Sequence, residues 1–424
     1  MNRLEQRQSS HILYSWSAQT QTQGLSISKG QGAVYWDHDG EEWLDFESQV
    51  FNCNAGHGEQ HIIDAIKQQV DELACAHPAA LFDRKAALGE ALAAVTPGDL
   101  NHFFLCLSGA EANENALKIA QLVTGRRKVI ARRRSYHGAT LGALSLTGDN
   151  RRLPFEPLLG NVVRAEDPFC YQCPFHLTHP ECGIRCAEHL EDLIKFEGED
   201  QVAAIFLESV TGAAGGFIPP PEYWPRVREI CNKYGVLLVS DEVLMGFGRT
   251  GRWFGVDHWD VVPDMMTMAK GLTSGYAPMG AVAMTEKLAR HFDDETLWCG
   301  LTCYAHPLSC AAALASIEVY RDKKLVENSA TLGQSLSQQL STLKNEHSVI
   351  GDVRNLGLFG LVEFKPEAAR LFNQAMKPTL AARNLHILVK ENRIFVAPPL
   401  CITQEQLSQG MSRIGSALTE VFAS

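Results

Sequence analysis

The sequence predicts an α/β protein built on a parallel sheet, and three observations carry that expectation. Val202-Ala-Ala-Ile-Phe-Leu-Glu208 and Val236-Leu-Leu-Val239 are unbroken apolar runs, the pattern of strands buried on both faces. Between them, Tyr223 to Tyr234 reads as a helix, so the trio makes a strand–helix–strand crossover joining parallel neighbours. Each run also leads into an acid, Glu208 and Asp241, placed where such a sheet opens into a site.

Length and charge narrow the function. A chain of 424 residues buries a large core and has room for more than one subdomain. With 38 Lys and Arg against 49 Asp and Glu, its net charge of −11 argues against nucleic acid or an anionic membrane surface as the main partner. No apolar run approaches membrane-spanning length, and the start, Met1-Asn-Arg-Leu-Glu-Gln-Arg, lacks the apolar stretch of a secretory signal. Twelve cysteines in such a chain read most simply as reduced thiols in the cytoplasm.

Taken in order, the first thirty residues, rich in Ser, Gln and Thr, look like an arm that packs on something larger. Two short alternating runs around Asp37-His-Asp-Gly40 predict a β-hairpin. Helical spacing of apolar residues runs from Ile62 to Leu73, and a second helix is expected over Arg84 to Val95. Phe103 to Leu107 followed by Ser108-Gly109-Ala110-Glu111 is a strand, a tight turn and a helix start. Amides at such an N-terminus favour an anion, Ser108 adds a hydroxyl, and Gly109 lets the backbone approach closely; a plain helix cap would use the same string. The basic run Lys128 to Arg134 is expected at a solvated strand edge. Cys170 and Cys173, then Cys182 and Cys186, with His176 and His179 between them, have zinc-like spacing. Buried thiols are the alternative, and no metal is assigned.

The densest chemistry lies between Gly235 and Gly271. An apolar strand delivers Asp241, and Lys270 follows an apolar Met-Thr-Met-Ala run. An acid and a lysine in one cleft are the partners pyridoxal 5′-phosphate needs. The amine forms a Schiff base with the aldehyde, and the carboxylate keeps the pyridine nitrogen protonated so that the ring accepts electrons.

Ser240-Asp-Glu-Val243, Gly246-Phe-Gly-Arg-Thr-Gly251, Pro263-Asp264 and Ala269-Lys-Gly-Leu272, in this order, resemble the class III (ω-amino-acid type) aminotransferases, and the likeness extends from about Gly32 to Pro399. The branch it most resembles transfers amino groups from taurine and other ω-amino acids to pyruvate. The resemblance implies fold type I of the pyridoxal-phosphate enzymes: a large domain on a mostly parallel seven-stranded sheet plus a small α+β domain made from both chain ends. The expected divisions are an arm and part of the small domain over 1–55, the large domain over 56–310, and the C-terminal small domain over 311–424. It also implies that Ser108, Gly109 and Ala110 hold the phosphate and that Tyr136 stacks on the pyridine. His137, Glu208 and Val243 are further neighbours of the cofactor. Thr302 would reach the phosphate of a neighbouring subunit, implying a homodimer.

The loop Ser48 to Asn54 would line the substrate entrance, with Phe51 its candidate contact and Trp298 a further aromatic. Arg393 is the candidate for a substrate carboxylate, although its register departs from the family pattern. The acid that glutamate-using members carry after the Glu208 strand is replaced by Ala213. The expected reaction is therefore transamination, in two half-reactions, from an amine or ω-amino acid to a small keto acid such as pyruvate. A 2-oxoglutarate-using, aminomutase or decarboxylating relative shares the whole cofactor site and stays open, as does a non-catalytic cofactor-binding protein.

Overall fold

A computed structural model describes residues 3–22 and 24–422. Its largest sheet has seven strands in the order β4-β10-β9-β8-β7-β5-β6. These are β4 (Leu100–Cys106), β5 (Lys128–Arg132), β6 (Val162–Ala165), β7 (Val202–Glu208), β8 (Leu237–Asp241), β9 (Met265–Met268) and β10 (Gly280–Thr285). Only β10 runs against its neighbours; β6, β5, β7, β8 and β9 pair in parallel. The two apolar runs that predicted the sheet are its middle. Every residue of β7 is buried, and the helix Tyr223–Tyr234 carries the chain from β7 to β8. Burying a Leu, Ile or Phe of this kind is worth roughly 1.5–3 kcal/mol each, which explains why these strands tolerate no wet face.

Register sets the site. Glu208 stands level with Asp241 across β7 and β8, and Asp241 is level with Thr267 across β8 and β9. Three polar side chains thus emerge in one row at the carboxyl ends of parallel strands, the usual place for a ligand in such sheets.

One expectation fails here. The basic run Lys128 to Arg134 does not lie at a solvated edge, because β5 pairs with β7 on one side and β6 on the other. Arg132 is entirely buried and donates from Nη2 to the Glu208 carbonyl at 2.6 Å. The short apolar run Val129-Ile130-Ala131, flanked by basic residues, is an interior strand whose last arginine is buried.

Two four-stranded sheets complete the architecture. One joins β1 (Lys29–Gln31), β2 (Val34–Trp36) and β3 (Glu42–Asp45) to β13 (Leu385–His386), so segments near both chain ends share a sheet, and the expected hairpin is β2–β3. The other contains β11 (Ile350–Leu356), β12 (Phe359–Phe364), β15 (Arg393–Val396) and β14 (Leu388–Lys390). Helices Gln60–Glu72 and Asp83–Ala93 match the two predicted from spacing, and both pack on the long helix Pro307–Asp322. All twelve cysteines are free thiols. Among the described residues, no group of three or more His, Cys, Asp or Glu side chains is disposed to hold a metal, and no helix is long and apolar enough to cross a membrane.

Candidate active site

Asp241 is the last residue of β8 and is almost completely buried. Its carboxylate accepts from the Val243 amide at 3.0 Å, from Asn113 Nδ2 at 2.8 Å and from His137 Nδ1 at 2.7 Å. Asn113 in turn donates to the His137 carbonyl and accepts from Thr267 Oγ1 at 3.0 Å. Asp241, Asn113, His137 and Thr267 are all buried. Fixed donors at both oxygens lock the carboxylate in one orientation. His137 Nε2 has no protein partner although it is buried. Asn113, on the helix Gly109–Thr124, belongs to the motif that opens with Ser108, but its side chain had no assigned role; its position one helical turn past Gly109 was the available signal.

Ser108 caps that helix, accepting the Glu111 amide at 3.2 Å, while Glu111 reaches back to the Leu107 amide at 2.7 Å. The plain cap is thus formed, and it does not preclude an anion there, since the first-turn amides still point out of the helix end. Gly109 is required by packing: a Cβ there would meet Val243 Cγ1 at 2.8 Å. Ser108, Gly109 and Lys270 line one cavity of about 480 Å³, together with Gln49 and Val50.

Lys270 follows β9 with a left-handed φ of 39°. Burial pushes its amine down from 10.5 to about 8, partly opposed by Asp241 and Glu208. A lysine that sheds its proton this readily is a competent nucleophile and proton carrier near neutral pH. Its Nζ lies 5.6 Å from the centroid of the Phe51 ring.

Phe51 arrives there by an unusual route. Ser48, Gln49, Val50 and Phe51 all have positive φ, at 51°, 50°, 64° and 60°, forming one left-handed turn without a glycine. Each such residue costs roughly 1–2 kcal/mol, so surrounding contacts must hold the turn. No sequence signal announced it.

Glu208 is buried, and that burial raises its carboxyl above the usual range. It accepts from the Tyr136 amide at 3.1 Å and the Gly212 amide at 2.7 Å, tying the Tyr136 segment to the loop that contains Ala213. Arg151 covers a face of the Tyr136 ring at 3.6 Å, and Trp16 lies nearly perpendicular to that ring at 6.2 Å.

A second cavity, of about 900 Å³, contains Phe51, Ala213 and Arg393. Six cationic and three acidic side chains line it, which favours anionic substrates. Its arginines are all engaged. Arg133 pairs with Glu166, Arg134 with Asp167, Arg151 with Asp149, and Arg393 with both Glu363 and Glu391. The acid facing Arg393 comes from β12, since Ala213 offers none; Glu363 also binds Arg354. Thr302 and Trp298 are not brought to these cavities. Thr302 is exposed, and Trp298 is 72 % exposed.

The residues fit pyridoxal 5′-phosphate. A buried acid held by three donors, a lysine with a depressed pKa, and a capped helix N-terminus that shares a cavity with Lys270 would supply three anchoring points. Comparisons with known proteins agree. Residues 15–418 match the family model described as aminotransferase class-III. The chain is 35 % identical to a leucine/methionine racemase of Thermococcus litoralis, covering 93 % of this chain and 90 % of that one. It is 33 % identical to a taurine–pyruvate aminotransferase of Bilophila wadsworthia, with 96 % of each covered. The crystal structure of a taurine:2-oxoglutarate aminotransferase from Bifidobacterium kashiwanohense, in complex with pyridoxal phosphate and glutamate, superposes with a TM-score of 0.93. It is 34 % identical and is matched over 99 % of this chain and 97 % of that one.

Proposed function

The chain belongs to the class III aminotransferases, enzymes that use pyridoxal phosphate, and from that premise we propose that it moves an amino group from an amine or ω-amino acid to a small keto acid, with pyruvate the preferred acceptor. When bound, the cofactor supplies an aldehyde for the amino group and a ring that accepts electrons from the bond being broken. Its phosphate would be held by the Gly109 and Ala110 amides with the Ser108 hydroxyl, its ring nitrogen would be met by Asp241, and its ring would be covered by Tyr136. Val243 and Glu208 hold neighbouring backbone in place, and His137 steadies the Asp241 carboxylate. Lys270 is the reacting amine, and its Nζ would carry a proton from the substrate carbon bearing nitrogen to the carbon of the cofactor's aldehyde group, acting first as base and then as acid. Phe51 walls the donor's path.

The acceptor reading rests on one observation: every arginine of the large cavity is already paired with an acid. To reach Arg393, the distal carboxylate of 2-oxoglutarate would have to displace the exposed Glu391 or the buried Glu363, and parting Arg393 from Glu363 leaves a buried charge unpaired, which is costly. A monocarboxylate makes no such demand. The test is an amine panel run with pyruvate and 2-oxoglutarate at equal concentration, read as keto-acid consumption. Faster consumption of pyruvate is expected. A clear preference for 2-oxoglutarate refutes the acceptor assignment, and amine conversion without consumption of either acid refutes transamination in favour of racemisation or another rearrangement.

The working unit is proposed to be a homodimer. Thr302 is exposed, as are Val50 beside the Lys270 cavity, Leu81 and Leu141, and exposed apolar side chains of this size invite a partner surface. Twelve free thiols fit a reducing cytoplasm.

A further inference from the structure

Arg249 takes no part in the chemistry described above. It lies in the loop between β8 and β9 and is inaccessible to solvent. Among the described residues no carboxylate pairs with it; its contacts are four neutral acceptors. Nη1 donates to the Leu358 carbonyl at 3.3 Å and the Pro398 carbonyl at 2.5 Å, and Nη2 donates to Ser48 Oγ at 3.2 Å and Asn54 Oδ1 at 2.8 Å. Its Nε has no partner. Asp45 acts on it only through space, and a buried cation with no acid in contact is costly, so its retention calls for a reason. Burial lowers its pKa only to about 10, which leaves it charged at neutral pH.

The acceptors identify that reason. Ser48 and Asn54 bracket the left-handed turn, while Leu358 and Pro398 belong to the segments beside β12 and β15. Ser48 Oγ donates in turn to the Ala397 carbonyl at 2.5 Å, and the Leu400 amide donates to the Asn54 carbonyl at 2.7 Å. One guanidinium therefore fastens both ends of the strained turn to the same two segments. Between those ends lie Gln49 and Val50, which wall the Lys270 cavity, and Phe51, whose ring faces the Lys270 amine.

We propose that Arg249 is a positioning residue for the amino-transfer reaction: it clamps Ser48 and Asn54, and so holds the Ser48–Phe51 turn in the left-handed form that seats Phe51 against Lys270. Lysine is no substitute, because a single ammonium cannot span acceptors arranged for a planar fork. The Arg249 charge also reaches Lys270, where it disfavours protonation of the amine.

The inference rests on Lys270 as the reacting amine, so its first readout is independent of turnover. Hydrogen exchange is followed in cofactor-loaded parent and Arg249→Lys, comparing the amides of residues 51–53, which bond to Glu47 and Ser48 carbonyls, with those of β8. Loss of one or two charge-assisted hydrogen bonds speeds exchange at 51–53 about ten- to hundredfold while β8 is unchanged. The pH titration of the visible cofactor band shifts, and KM for the best amine of the panel rises by more than kcat falls. Parent-like exchange at 51–53, or equal acceleration throughout β8, overturns the proposal. Should Arg249→Lys not fold, Ser48→Ala removes one clamped group and leaves the guanidinium three acceptors; faster exchange at 51–53 supports the clamp, and unchanged exchange there overturns it. A loosened turn in a protein whose parent shows no visible band on loading would sink the Lys270 assignment and leave the clamp standing.

Discussion

Replacing Asp241 with asparagine probes the site at its centre. The carboxylate accepts two donors at Oδ2, Asn113 and His137, and one at Oδ1, the Val243 amide. An amide cannot satisfy all three. With its oxygen toward Asn113 and His137, its NH₂ confronts the Val243 amide; flipped, it confronts the other two. The better orientation keeps two hydrogen bonds, each weakened from roughly 1.5–3 to 0.5–1.5 kcal/mol, and leaves one buried amide unpaired at about 1–3 kcal/mol. Asp241→Asn should therefore be less stable by a few kcal/mol, as read by denaturant unfolding of the apoenzyme. The ring nitrogen would also lose its anionic partner. On that count alone the amine half-reaction should slow roughly 10- to 150-fold in single turnover, with larger losses from the weakened electron sink. A folded, cofactor-loaded Asp241→Asn that reacts within threefold of the parent would remove Asp241 from the site.

The Lys270 amine, pushed down to about 8, sheds its proton well below the unfolded value of 10.5. Cofactor capture by the apoenzyme should accelerate as pH rises through about 8 and level off above it; a rate still climbing at pH 10 would contradict the depressed value. The linked stability has a definite sign: burial of the charged amine penalises the apoenzyme below pH 8, so its stability should rise between about 8 and 10.5, where the unfolded chain binds more protons. Lys270→Ala, which lacks the group, should lose that rise in thermal denaturation. Thr302→Ala should weaken cofactor retention in dialysis without unfolding the protomer, and a fully loaded, active monomer in sedimentation would refute the role across an interface.

Much of this was legible in the chain because apolar strands and catalytic acids leave local signatures. Val202–Glu208 and Val236–Asp241 betray buried strands by lacking alternation, and their terminal acids mark the open end of the sheet. Lys270 and Ser108 sit at strand and helix boundaries that flanking residues announce. What stayed hidden depends on distant parts of the chain. Arg132 looks like surface charge until β6 covers it. The Ser48–Phe51 turn contains no glycine, because its conformation is imposed through Arg249, some 200 residues away, rather than preferred locally. Arg393 reads as a free cation until Glu363 arrives from β12. Asn113 lay in plain view within its motif, but its partner Asp241 is 128 residues distant.

The most direct test of the account is spectroscopic. Loaded with pyridoxal phosphate, the protein should be yellow, bleach when a competent amine is added alone, and regain its colour when pyruvate follows, with one equivalent of each product per subunit. Lys270→Ala should retain cofactor through the phosphate and ring contacts yet fail to complete that cycle. Parent-like cycling by Lys270→Ala would contradict the central claim that Lys270 is the reacting amine.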